Sequence, residues 1–103
     1  MYNMNILKTT NGRVALYQRD GALIRNIGTD DSNCASMRMD DYMILITTKE
    51  GSVKMYTETG NIVNLIKDKG AISAAFIDSN ILIFTVDGRI ELWKDDGDFV
   101  KYI

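Results

Sequence analysis

The 103-residue sequence has no histidine and no proline, one cysteine and one tryptophan. Without histidine, and with a single thiol, the usual nucleophile–base pairs and the Cys/His metal sites are out of reach. Cys34 has no second cysteine in the chain to pair with, so a disulfide scaffold is excluded. It reads as a small strand residue and not as a reactive thiol. A basic surplus is missing too: 12 Lys and Arg face 14 Asp and Glu, for a net charge of −2. Nucleic-acid binders carry a positive stripe, so no nucleic-acid partner is expected. No stretch approaches the roughly 20 apolar residues of a membrane span. The opening MYNMNILKTT has no charged segment leading into an apolar one, so no signal peptide is read there. The expectation is therefore no membrane partner and a cytoplasmic location. If the Asn-, Ile-, Lys- and Asp-rich composition reflects an AT-rich viral genome, a virion-associated location is expected instead. Sustained 3.6-residue periodicity is the last absence, and with it goes any long amphipathic helix.

What is present is a repeat. GRVALYQRDG (12–21), GSVKMYTETG (51–60) and GRIELWKDDG (88–97) follow one template. Gly12, Gly51 and Gly88 stand 39 and 37 residues apart, and each is followed nine residues later by a second glycine, Gly21, Gly60 or Gly97. Between them aliphatic residues alternate (Val14 and Leu16, Val53 and Met55, Ile90 and Leu92), closed by Tyr17, Tyr56 or Trp93. Period-2 alternation belongs to strands. Asn-Gly, Glu-Gly, Asp-Gly and Thr-Gly at the ends supply hairpin turns. The template thus predicts middle strands near 13–18, 52–57 and 89–94. Apolar runs on either side supply flanking strands, with Thr9, Thr48 and Thr85 in register three residues before the glycine. In the last two repeats a further strand, near 34–39 and 71–76, comes first. The chain so reads as three strands, then four, then four.

A period near 40 with four antiparallel strands per unit is the pattern of a β-propeller blade. DGRIELWKDDG resembles the core of a WD-repeat, in which an acidic-Gly turn leads into an alternating strand closed by Trp, and GAISAAFIDSNILIFTVDGRIELW resembles such a blade up to its third strand. The Gly-His before the first strand has no counterpart here, and Lys94 stands where Asp follows the Trp of the family. The resemblance implies an all-β fold of propeller blades, about three per chain, in a single domain, with blades at approximately 1–28, 29–67 and 68–103.

Three blades leave two apolar sheet faces open and cannot close a ring of typically about four to eight. The chain is either a piece of a longer propeller or a unit closed by symmetry. Closure by homo-oligomerisation is the expectation, with two copies making a homodimer of six blades. Val14, Ile24, Ile90 and Phe99 are the candidate interface residues.

Chemistry is sparse. Asp30-Asp31 and Asp95-Asp96-Gly97-Asp98 lack the spacing of a calcium loop and read as turns. No metal, no cofactor and no catalytic residue is expected, and the protein is not read as an enzyme. Tyr17, Tyr56 and Trp93 have two readings: residues packed between sheets, or platforms that stack on sugars. Arg13 and Arg89, at the start of two middle strands, are candidate contacts on one rim. The leading function is a non-catalytic oligomeric propeller that serves as a protein-interaction or structural platform, since loops on a rigid scaffold carry binding residues. The alternative is a carbohydrate-binding, lectin-like propeller whose partner is a glycan.

Overall fold

A computed structural model describes residues 5–103. They form eleven strands: β1 (Ile6–Thr10), β2 (Arg13–Tyr17), β3 (Leu23–Ile27), β4 (Ser32–Met37), β5 (Ile44–Thr48), β6 (Val53–Tyr56), β7 (Ile62–Lys67), β8 (Ala71–Ile77), β9 (Asn80–Thr85), β10 (Ile90–Lys94) and β11 (Phe99–Tyr102). No helix occurs among the described residues, so none is long and apolar enough to cross a membrane. The strands make three antiparallel sheets, β1-β2-β3, β4-β5-β6-β7 and β8-β9-β10-β11, each in chain order. The middle strands β2, β6 and β10 fall within the intervals that the glycine template predicts.

Turn chemistry explains why the chain reverses where it does. After β2, β6 and β10 the same loop recurs. The amides of Gly21, Gly60 and Gly97 donate to the carbonyls of Gln18, Thr57 and Lys94 at 2.9, 3.0 and 3.0 Å. The turns before the middle strands differ. Asn11 and Gly12 both have positive φ, 52° and 82°, which makes a two-residue type I′ hairpin. The second and third turns are longer, and a threonine hydroxyl closes each: Thr48 Oγ1 accepts from the Ser52 amide at 3.1 Å, and Thr85 Oγ1 from the Arg89 amide at 3.0 Å. This corrects one expected register. Val14 pairs with Thr9, whereas Val53 pairs with Thr47 and Ile90 with Phe84. Thr9 therefore corresponds to Thr47 and Phe84, not to Thr48 and Thr85.

The sheets stack face to face. Val14, Leu16 and Ile27 of the first sheet close on Ile44, Ile46 and Tyr56 of the second. The other face of the second sheet, with Leu45, Val53, Met55 and Ile66, closes on Ala71, Ala74, Ile81 and Ile83 of the third. Every residue of β5 is buried, because the strand is covered on both sides. Removing one such aliphatic side chain from water contributes roughly 1.5–3 kcal/mol. β4 lies against β1 and β2, and β8 lies against β4, β5 and β6, so the first strand of each later sheet is wedged beside the sheet before it.

Burial does not repeat in full. Val14, Leu16, Val53 and Met55 are at most 3% exposed, while Ile90 and Leu92 at the same template positions are only half-buried. The reason is positional: each sheet's template aliphatics face the sheet that follows, and among the described residues no sheet follows the third.

Candidate functional site

Two open faces and two rims are the surfaces on which this chain presents side chains. Strand alternation assigns the faces. The outward side of the third sheet carries Leu82 paired with Leu92 and Phe84 paired with Ile90. By pairing these match Leu45, Met55, Thr47 and Val53 in the second sheet, all at most 3% exposed. The outward side of the first sheet carries Ile6, Lys8, Ala15, Tyr17 and Leu23. Its counterparts in the second and third sheets are the faces that meet the preceding sheet.

Glycines mark the same asymmetry. A Cβ on Gly12 would overlap the carbonyl oxygen of Asp30, and one on Gly51 would lie 2.6 Å from the Gly70 amide nitrogen. In both cases the chain leading into the next sheet presses on the turn. Its first residue binds there: the Ser32 amide donates to the Gly12 carbonyl at 2.8 Å, and the Ala71 amide to the Gly51 carbonyl at 3.0 Å. Gly88 occupies the third equivalent position and has nothing within 4 Å of its would-be Cβ.

Of the expected interface residues, Ile90 lies on an open face. Val14 is fully buried between the first and second sheets, and Ile24 packs on the same cluster, so both already serve contacts within the chain. Phe99 sits on the side of the third sheet that faces the second, edge-on to Trp93 with centroids 5.4 Å apart, and is 44% exposed. Alternation identifies the two faces of a strand but not which neighbour each meets; that direction placed Val14 and Ile24 inward.

Two of the three template aromatics are junction residues. Tyr56 is buried between the first two sheets, and burial pushes its phenol pKa up. Trp93 packs against the second core and donates through Nε1 to Glu91 at 3.0 Å. Tyr17, on the outward face of the first sheet, is half-buried. Arg13 opens β2 and Arg89 directly precedes β10, with side chains 53% and 57% exposed. Arg13 spans the first junction, donating from Nε and Nη2 to the two Asp30 carboxylate oxygens at 3.0 Å each. Arg89 stays within its own sheet, 3.6 Å from Asp87 and 4.9 Å above the Tyr102 ring.

The opposite rim holds a cluster that sequence reasoning missed. Arg38 pairs with Asp41 at 2.8 Å and with Asp95 at 3.2 Å, and stacks 4.7 Å over Phe76. The Asp41 hydrogen bond raises the guanidinium pKa further, and in return Arg38 holds the Asp41 carboxyl below its ordinary range. Its partners lie as far as 57 residues away, beyond any local pattern. Open clefts of about 250 Å³ flank it, lined by Asp40, Asp78 and Ser79 among others. Among the described residues no group of three or more His, Cys, Asp or Glu is placed to hold a metal ion. Cys34 is half-buried with Sγ 3.8 Å from the Ile72 carbonyl. In comparisons with known proteins, no family model and no curated protein matches this sequence.

Proposed function

We propose that the chain is a non-catalytic interaction module of WD-like propeller type, whose three sheets are blades and whose ring is closed by a second copy. One observation carries the reading: the template positions that are buried in the first two sheets are half-open in the third. The vacant space beside Gly88, where Gly12 and Gly51 are both pressed, points the same way. A chain that already stacks one kind of face on its complement twice presents one of each at its two ends. The open face of β8–β11, with Leu82, Phe84, Ile90 and Leu92, meets the open face of β1–β3, with Ile6, Lys8, Tyr17 and Leu23. Across a two-fold axis that junction occurs twice, which closes six blades. The ring then serves as a platform whose loops and rims bind another protein. Tyr56 and Trp93 support the packed reading of the template aromatics over the sugar-binding one, since both are spent on junctions.

Light scattering of the 103-residue chain at micromolar concentration is the test. A dimer is expected, and Leu92→Asp, which puts an unpaired charge on the open face, shifts it to monomer or aggregate. A well-folded monomer near 11.6 kDa at every concentration overturns the reading.

A further inference from the structure

All the edge strands of this molecule but one are irregular. β3, β4, β7, β8 and β11 each join their neighbour through a register shift: Leu16/Tyr17, Ser32/Cys34, Met55/Tyr56, Ala71/Ser73 and Leu92/Trp93. Bulges twist an edge away and blunt its use as a template for another strand. β1 is the exception. It pairs with β2 through five unbroken steps from Ile6↔Tyr17 to Thr10↔Arg13, the same regularity as the interior pairings β5–β6 and β9–β10. In the repeat β1 holds the place of β5 and β9, each of which has a strand on both sides. β1 is built as an interior strand and ends its sheet.

The vacant edge has defined chemistry. A two-residue hairpin makes Thr10 and Arg13 a hydrogen-bonded pair, so Lys8 with Ala15 and Ile6 with Tyr17 are hydrogen-bonded too. The N–H and C=O groups of Leu7 and Thr9 therefore point away from β2. Among the described residues, none of the backbone hydrogen bonds outside the ladders uses them. The space beyond is the position that β4 and β8 fill in the other sheets. Ala35 and Met37 of β4, which face the first sheet, are only half-buried, whereas Ala74, the counterpart of Ala35 on β8, is 8% exposed.

We propose that β1 is an acceptor edge for an antiparallel strand supplied by another polypeptide, which brings the first sheet to four strands. Main-chain bonds at Leu7 and Thr9 provide the affinity, and side-chain size provides the selection. The chain's own first strands define that selection. Ser36, Ala35 and Cys34 stand opposite Leu45, Ile46 and Thr47, and Ala75, Ala74 and Ser73 stand opposite Leu82, Ile83 and Phe84. Met37 and Phe76 follow, opposite Ile44 and Ile81. An incoming segment thus has three consecutive small residues opposite Leu7, Lys8 and Thr9 and a large apolar residue opposite Ile6. The assignment holds whether or not two copies close a ring.

The probe is a fluorescent peptide with the sequence of residues 71–77 and a lysine added at each end, titrated against the 103-residue chain. Saturable binding is expected, with amide hydrogen exchange at Leu7 and Thr9 slowed about tenfold or more while Lys8, already bonded to β2, is unchanged. Thr9→Pro removes one outward N–H without touching the ladder, as proline is tolerated on an edge whose N–H faces solvent. It is expected to weaken the peptide by about tenfold or more, the equivalent of roughly 1.4 kcal/mol, with Lys8 exchange unaltered. Absence of binding up to roughly 1 mM peptide overturns the proposal. So does binding that Thr9→Pro leaves intact, or protection of β3, β7 or β11 in place of β1. Leu7 and Thr9 amides that are already protected in the free chain also overturn it: independent of concentration the edge is covered in cis, and rising with concentration it is covered by a second copy.

Discussion

Lys67 Nζ lies 3.0 Å from Glu91 Oε1 across the junction of the second and third sheets, and the same oxygen accepts from Trp93 Nε1 at 3.0 Å. The side chains are 19% and 8% exposed, so the pair is withdrawn from water. Breaking a buried pair by removing one partner costs more than removing both, because a lone buried charge is left behind. Lys67→Met is expected to destabilise the chain by about 3–5 kcal/mol. Lys67→Met combined with Glu91→Gln, which keeps an acceptor for Trp93, recovers most of that loss in urea unfolding. A double variant as unstable as Lys67→Met alone shows that the cost lies in lost contacts and not in charge.

The three template glycines should not be equivalent. Alanine at any of them meets a positive φ of 82° to 92°, a strain on the order of 1–2 kcal/mol. At Gly12 and Gly51 it also collides with the backbone of the next sheet, so Gly12→Ala and Gly51→Ala are expected to cost clearly more than Gly88→Ala in thermal unfolding of the dilute chain. Equal losses at all three would mean that the turn conformation dominates and the close approach is relaxed.

Acid should loosen the Arg38 rim. Arg38 lowers the Asp41 pKa below its ordinary 3.8. A depressed carboxyl stabilises the fold above that ordinary value and loses its contribution as pH falls through the folded one. The urea midpoint of the natural chain should exceed that of Asp41→Asn at pH 6 and converge with it once the pH has fallen through the lowered carboxyl value. Because Asp41 is 47% exposed, the gap should also shrink in high salt. A gap that persists unchanged at low pH would assign the effect to shape and not to charge.

Strands were legible because each template keeps period-2 alternation between two glycines, and that pattern has no helical reading. The register of Thr9 was not legible, because a two-residue Asn11-Gly12 turn and the longer turns at Gly51 and Gly88 all present a residue followed by glycine. Their lengths differ only in where the hydrogen bonds close, at the Thr48 and Thr85 hydroxyls in two cases and at the strand pair itself in the first. The directions in which Val14 and Ile24 point were hidden for a different reason. An alternating strand shows that two faces exist, while the order in which sheets stack depends on contacts some 40 residues apart. Of the Arg38 cluster only the Arg38–Asp41 pair, three residues apart, is local; Phe76 and Asp95 belong to a separate strand and turn and meet Arg38 only once the third sheet is laid on the second.

The junctions are fastened differently at their two ends. On the Gly12–Gly51 rim both junctions are tied by peptide groups, Ser32 to Gly12 and Ala71 to Gly51, and only the first adds a side-chain pair, Arg13 with Asp30. On the other they are tied by arginine side chains, Arg25 to the Thr59 carbonyl and Arg38 to the Asp78 carbonyl and Asp95. A tie between peptide groups asks almost nothing of the residues that make it beyond a glycine at the turn. A unit joined this way can be duplicated, deleted or exchanged in the gene and still find its neighbour at that rim. The arginine rim has less freedom, since each junction needs its own cation even where, as at Thr59 and Asp78, the acceptor is a peptide carbonyl. Divergence between units can therefore accumulate on one rim while the other keeps the stack in order.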